Sequence, residues 1–102
     1  MSIIYLIECR RDYDSVYKIG YTKNNPNRRL SELQTGNDGE LKVLHTFETA
    51  HGQRLERILH RFLAHKKTES KKEWFKLDLV DVYNFTAMCE KIEKNLNVIN
   101  KD

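Results

Sequence analysis

The feature that most constrains this chain is a pair of strand-sized apolar segments at its start, Ile3-Ile4-Tyr5-Leu6-Ile7 and Val16-Tyr17-Lys18-Ile19-Gly20-Tyr21-Thr22. The first is short, β-branched and apolar, which is the pattern of a buried strand, and the second reads the same way. Between them, Cys9 to Ser15 carries Arg10, Arg11, Asp12 and Asp14, a composition suited to an exposed hairpin loop. Two strands joined by so short a link pair antiparallel.

The only proline, Pro26, follows Asn24-Asn25 and precedes Asn27-Arg28-Arg29-Leu30-Ser31-Glu32-Leu33. Asn25 can cap a helix, Pro26 can occupy its first turn without losing a needed hydrogen bond, and Gly36 can end it. A helix over 26–34 is predicted. Asn37-Asp38-Gly39 is a turn signal, and Leu41 to Thr46 gives a third strand. His51 to Lys66 predicts the clearest helix, with Leu55, Ile58, Leu59, Phe62 and Leu63 forming an apolar stripe. Glu73-Trp74-Phe75-Lys76 is a short extended piece. A last helix, over 79–96, sets Val82, Phe85, Cys89, Ile92 and Leu96 on one face. The order β, β, α, β, α, short β, α predicts a small α/β (α+β) sandwich, with helices flanking a three-stranded, mainly antiparallel sheet.

A chain of 102 residues holds one layered core, so a single domain over 1–102 is expected, its centre at about 3–77 followed by the C-terminal helix. Apolar residues are 39% and charged residues 32%, and no apolar run approaches the roughly 18 residues of a membrane span. The N-terminus lacks the pattern of a secretory signal, so an intracellular setting, cytoplasmic or nuclear, is expected with no membrane partner. Cys9 and Cys89 lie far apart without metal-ligand spacing and are expected to be free thiols.

The net charge of +3 conceals an uneven distribution. Residues 51–76 carry 8 Lys/Arg against 3 Asp/Glu, whereas 1–50 are balanced at 7 and 7. Arg54, Arg57 and Arg61 on the long helix, with Lys66, Lys67, Lys71 and Lys72 after it, can bind phosphate backbones by releasing counterions. A solvated helix face followed by a lysine-rich loop would read the same way.

Four side chains stand out chemically. At about 100° per residue, Glu56 falls at the edge of the apolar arc of the long helix. There it can serve a hard cation, which takes one or two carboxylates and fills its other positions with water and phosphate, or it can pair with His60 on an ordinary helix face. Arg29 emerges beside the buried face of the short helix, where a guanidinium can give two hydrogen bonds to a phosphate. Arg28, four residues before Glu32, reads as half of a surface ion pair. Tyr5 lies inside an aliphatic strand, as core tyrosines do. Lys18 interrupts a strand that should be largely buried. If it meets Tyr5 across the hairpin it assists proton transfer from water; otherwise it snorkels from an edge strand.

In this order the residues resemble the GIY-YIG nuclease superfamily, in particular its phage and DNA-virus branch of small domains related to the meiotically up-regulated gene 113 type. Three parts carry the resemblance, which runs from about 3 to 77. They are Ile4-Tyr5 with Lys18-Ile19-Gly20-Tyr21-Thr22-Lys23; Pro26 to Asn37, containing Arg29-Leu30 and Glu32-Leu33-Gln34-Thr35-Gly36-Asn37; and Glu56, Leu59-His60 and Phe62 with Glu73-Trp74-Phe75. The resemblance implies that Tyr5 is the first-motif tyrosine, Arg29 the arginine at the scissile phosphate and Glu56 the lone metal-binding glutamate. It also implies attack of water on a DNA phosphodiester with one Mg²⁺ or Mn²⁺. The chain departs from the pattern at three points. Ile3 replaces the first-motif glycine. Lys18 replaces the second-motif tyrosine, as in some members that resemble restriction enzymes, while Tyr17 stands one position early and faces the other way. Leu33 stands where many relatives place His or Tyr, so a second proton-transfer group would have to be Tyr21, His45 or His60.

A metal-dependent DNA endonuclease is therefore the expectation, with a nucleic-acid-binding module that has lost turnover as its rival. A protein-interaction domain using the last helix is the third reading. One carboxylate per site predicts one strand cut per site, so a double-strand break requires a homodimer or successive events. With no separate recognition domain, target specificity would come from loops or a partner protein.

Overall fold

The computed structural model describes residues 1–34, 39–68 and 74–99. Strand β1 (Ser2–Arg10) pairs antiparallel with β2 (Ser15–Thr22), as the hairpin pattern requires, with Tyr5 opposite Gly20 and Ile7 opposite Lys18. On its other side β1 pairs antiparallel with β3 (Glu40–Thr49). The sequence predicts three strands and the sheet has four, in the order β3-β1-β2-β4. The addition is β4 (Trp74–Phe75), two residues long and antiparallel to Tyr17 and Lys18. So short a piece carries no periodicity and is recruited by the edge of β2.

Helix α1 (Pro26–Gln34) covers one face of the sheet. Helices α2 (Gly52–Phe62) and α4 (Phe85–Ile99) cover the other, where their buried residues share one core with Ile4, Leu6 and Ile19. Because β1 lies between two layers, it has no solvent face and reads as a continuous apolar run. Alternation divides it. Ile4 and Leu6 join Leu55, Leu59, Phe85, Cys89 and Leu96 in the larger core, while Tyr5, Ile7 and Cys9 join Val16 and Leu41, with Leu30 and Leu33 of α1 packed against them.

Strand β3 serves both layers by a different device. Its register against β1 shifts between Leu6 and Ile7, so that Leu6 faces His45 but Ile7 faces Val43, and Leu44 is the extra residue of a bulge. Without it, Leu41, Val43, His45 and Phe47 would all point the same way. With it, Leu41 and Val43 lie beneath α1, while Phe47 packs in the larger core and His45 stacks on Phe85 with ring centroids 6.1 Å apart.

Two predicted helices are shorter than their patterns. The segment 51–66 is helical only through Phe62, and a 3₁₀ turn, Ala64–Lys66, follows. The segment 79–96 is divided at Asn84 into α3 (Leu79–Tyr83) and α4, and the break preserves the apolar spacing that predicted a single helix. Phe62, expected on the buried stripe, is 64% exposed. The buried row of α2 runs Leu55, Leu59, Leu63 at intervals of four, which advances about 40° around the helix at each step. By the last turn it has moved away from Phe62. The same drift carries Glu56 and His60 toward the sheet, and both are half-buried.

Among the described residues, no helix is long and apolar enough to cross a membrane. Cys9 and Cys89 are buried free thiols, and burial pushes the Cys89 thiol up to about 12.

Candidate functional site

The site is built around Gly20. A Cβ placed there would lie 2.3 Å from the Tyr5 hydroxyl oxygen and 2.5 Å from Cζ, so the phenol rests directly on the glycine backbone. A glycine within a strand signals such a close approach, and the sequence reading passed over it. Tyr5 is 2% exposed, and its hydroxyl reaches toward the α1 layer.

From Gly20 the chain enters α1 through a segment fixed by its own side chains. Thr22 Oγ1 accepts from the Asn24 amide at 3.0 Å, and Asn25 Oδ1 accepts from the Asn27 amide at 2.9 Å, the predicted cap. Gln34 secures the far end, donating to the Gly39 carbonyl at 3.0 Å. The expected end at Gly36 lies outside the described residues.

This frame brings Arg29 to Tyr5. The Arg29 pKa lies above its ordinary value chiefly through hydrogen bonding to Tyr5; burial opposes it, and Glu32 adds a smaller push in the same direction. Arg29 Nη1 also lies 3.4 Å from Glu32 Oε1, so Glu32 pairs with Arg29, where the sequence had matched it to Arg28. The Arg29 side chain remains 46% exposed. It lines a cleft of about 240 Å³ with Thr22, Asn24, Asn25, Arg28 and Glu32.

Lys18 is on the same sheet face and only 8% exposed. It lies opposite Ile7 and one position diagonally from Tyr5, which corrects the direct cross-strand meeting considered from sequence. Nor does it snorkel from an edge. Its ammonium lies 5.6 Å from the centroid of Trp74, a cation–π contact. Trp74 is a partner that the sequence did not reveal, because the β2–β4 pairing creates it. Tyr17 faces the other way, as expected, in the larger core.

Glu56 is carried by α2, the helix that covers the sheet face opposite to the one shared by α1, Tyr5 and Lys18. Gly52, Glu56 and His60 lie four residues apart on one side of α2. At one end of the row, a Cβ on Gly52 would be 3.2 Å from Tyr21 Cδ2; at the other, His60 Nε2 is 2.7 Å from the Ile19 carbonyl oxygen. Glu56 lies midway along this row and is half-buried. Among the described residues no three His, Cys, Asp or Glu side chains gather to hold a metal. Glu56 would offer a hard cation a single carboxylate, with water and phosphate completing the shell.

Of the other predicted residues, Tyr21 lies at the start of α2 on the larger-core side. His60 gives Nε2–H to the Ile19 carbonyl and packs edge-on against Phe75 at 5.1 Å. Leu33 packs beneath α1. Arg54, Arg57, Arg61 and Lys67 are exposed, consistent with a basic helix face, and Lys71 and Lys72 lie outside the described residues. Lys66 departs from the expected phosphate-binding set, because its ammonium is bound to Asp81 and lies 3.7 Å from Asp78, closing the 3₁₀ turn onto α3.

A family model described as the T5orf172 domain matches residues 2–93. No curated protein and no solved structure matches the chain.

Proposed function

The chain belongs to the T5orf172 domain family, and on that premise we propose that it is a metal-dependent endonuclease of the GIY-YIG type that hydrolyses DNA phosphodiester bonds. The family is associated with phage and nuclease-like proteins. The observation that carries the reading is the Tyr5 phenol lying directly on Gly20 on the sheet face covered by α1, with Arg29 of that helix half-exposed and lining a cleft. A phenol set against a guanidinium is equipped to handle the proton of an attacking water, because the cation steadies negative charge on the phenol oxygen. The exposed part of Arg29 grips the scissile phosphate. Lys18, held by Trp74, adds positive charge to the same face, and Glu56 would hold Mg²⁺ or Mn²⁺. Such a cation, when bound, stabilises charge on the phosphate and leaving oxygens.

A second reading is a nucleic-acid-binding module without turnover. It is favoured by Leu33 lying in the packing beneath α1 and by the commitment of His60 Nε2 to a backbone carbonyl. Plasmid nicking with Mg²⁺ or Mn²⁺ separates the two. We expect wild type to nick and Glu56→Ala to lose nicking while still binding DNA. Equal nicking by both proteins removes Glu56 from the mechanism, and salt-sensitive binding without cleavage under any metal establishes the second reading.

A further inference from the structure

We propose that the cleft between the tip of β2 and the start of α2 is a second phosphate subsite, in which Lys23 and Arg54 hold a DNA phosphate close to the one gripped by Arg29. The proposal rests on the nuclease reading above and extends it to substrate placement. Strand alternation at the tip of β2 sends Tyr21 and Lys23 to one side and Thr22 and Asn24 to the other. The second side is the Arg29 cleft. The first is a separate cleft of about 250 Å³.

Its lining points to an anion. Lys23 and Arg54 stand on it and, among the described residues, no carboxylate does, whereas the Arg29 cleft includes Glu32. Tyr21 and Gln53 add neutral donors. The floor is firm: a Cβ on Gly52 would lie 2.5 Å from Ser2 Cβ, so strand and helix ends are pressed together there. The His51 ring is engaged with Asn97 Oδ1 at 2.8 Å.

The four residues Tyr21 to Asn24 that divide the clefts span at most about 14 Å when extended. Phosphates on one DNA strand rise about 3.4 Å apart. A strand crossing the tip of β2 thus reaches the second cleft within about four nucleotides of the first.

The test is fluorescence anisotropy with a labelled DNA oligonucleotide in calcium buffer across a salt titration, using the full chain. Each lost phosphate contact lowers the slope of log K against log salt by about 0.7–0.9. Lys23→Ala with Arg54→Ala should therefore lower it by about 0.7–0.9 for the one phosphate lost, Lys23→Arg should retain it, and Lys91→Ala with Lys94→Ala on α4 should leave it unchanged. All four positions are exposed, and circular dichroism verifies folding. DNA binding by the Lys23/Arg54 double variant with the wild-type slope overturns the subsite and leaves the nuclease reading intact. Wild type that binds no DNA at low salt overturns both.

Discussion

Gly20→Ala is the most informative single perturbation of this protein. The new methyl would sit 2.3 Å from the Tyr5 hydroxyl oxygen, 2.5 Å from Cζ and 3.0 Å from Cε1, well inside contact distance. The end of an exposed side chain would swing aside at little cost, but Tyr5 is 2% exposed and packed with Ile7, Cys9, Val16 and Leu41. Overpacking of this kind costs about 1–3 kcal/mol. At roughly 4–8 °C per kcal/mol for a domain near this size, a cost of about 2 kcal/mol lowers Tm by ~8–16 °C. Whatever relief the fold finds must move the phenol, so the Tyr5–Arg29 bond is lost along with stability. Thermal melts and plasmid nicking measured on the same samples, below the lower Tm, separate the two effects. Nicking should fall as far as in Tyr5→Phe, and adding Gly20→Ala to Tyr5→Phe should still lower Tm, because Cζ remains in the way, while nicking falls no further. A Gly20→Ala protein that melts and nicks like wild type would show that the phenol does not rest on this glycine.

Burial alone would raise the Asp81 carboxyl, but the Lys66 ammonium and the Asp78 amide outweigh it and hold Asp81 below its ordinary range. A depressed folded-state value contributes stability above the unfolded pKa of about 3.9, lost as pH falls toward the folded value. Asp81→Asn should therefore be less stable than wild type at neutral pH, with the gap closing below about pH 4, as followed by urea titrations over pH. On α2, Phe62→Gln should change stability by less than about 0.5 kcal/mol, whereas Leu59→Ala should cost about 2–5 kcal/mol. Chemical denaturation measures both, and a large loss at Phe62 would contradict the drift of the buried row.

The hairpin and α1 were legible because their signals are local. β-Branched apolar runs around a charged loop, and an Asn-Pro start, determine strand and helix within a few residues. The partition of Tyr17 and Lys18 between faces followed from a period of two. What escaped was decided by contacts distant in sequence. The short β piece at Trp74–Phe75 was readable, but its place as the fourth strand of the sheet depends on the edge that β2 offers. Leu44 is extra only relative to β1. Phe62 is exposed because α2 crosses the sheet along a row of fours, which an averaged apolar stripe does not resolve. In the candidate site, Tyr5, Arg29 and Glu56 were visible by kind and order. Gly20 was overlooked although a strand glycine is a readable sign, and Lys18's stacking on Trp74 required the fold.

The displaced residue in β3 makes one strand the common wall of two packing layers. Leu44 leans on the larger core while its neighbour Val43 lies beneath α1, joined by a single peptide bond. A change of volume against Leu44 is thus transmitted to the packing of Leu30 and Leu33 on α1, the helix that carries Arg29, without passing through solvent or a loop. Substitutions deep on the α2 and α4 side of this protein are positioned to alter how α1 presents Arg29 to its cleft.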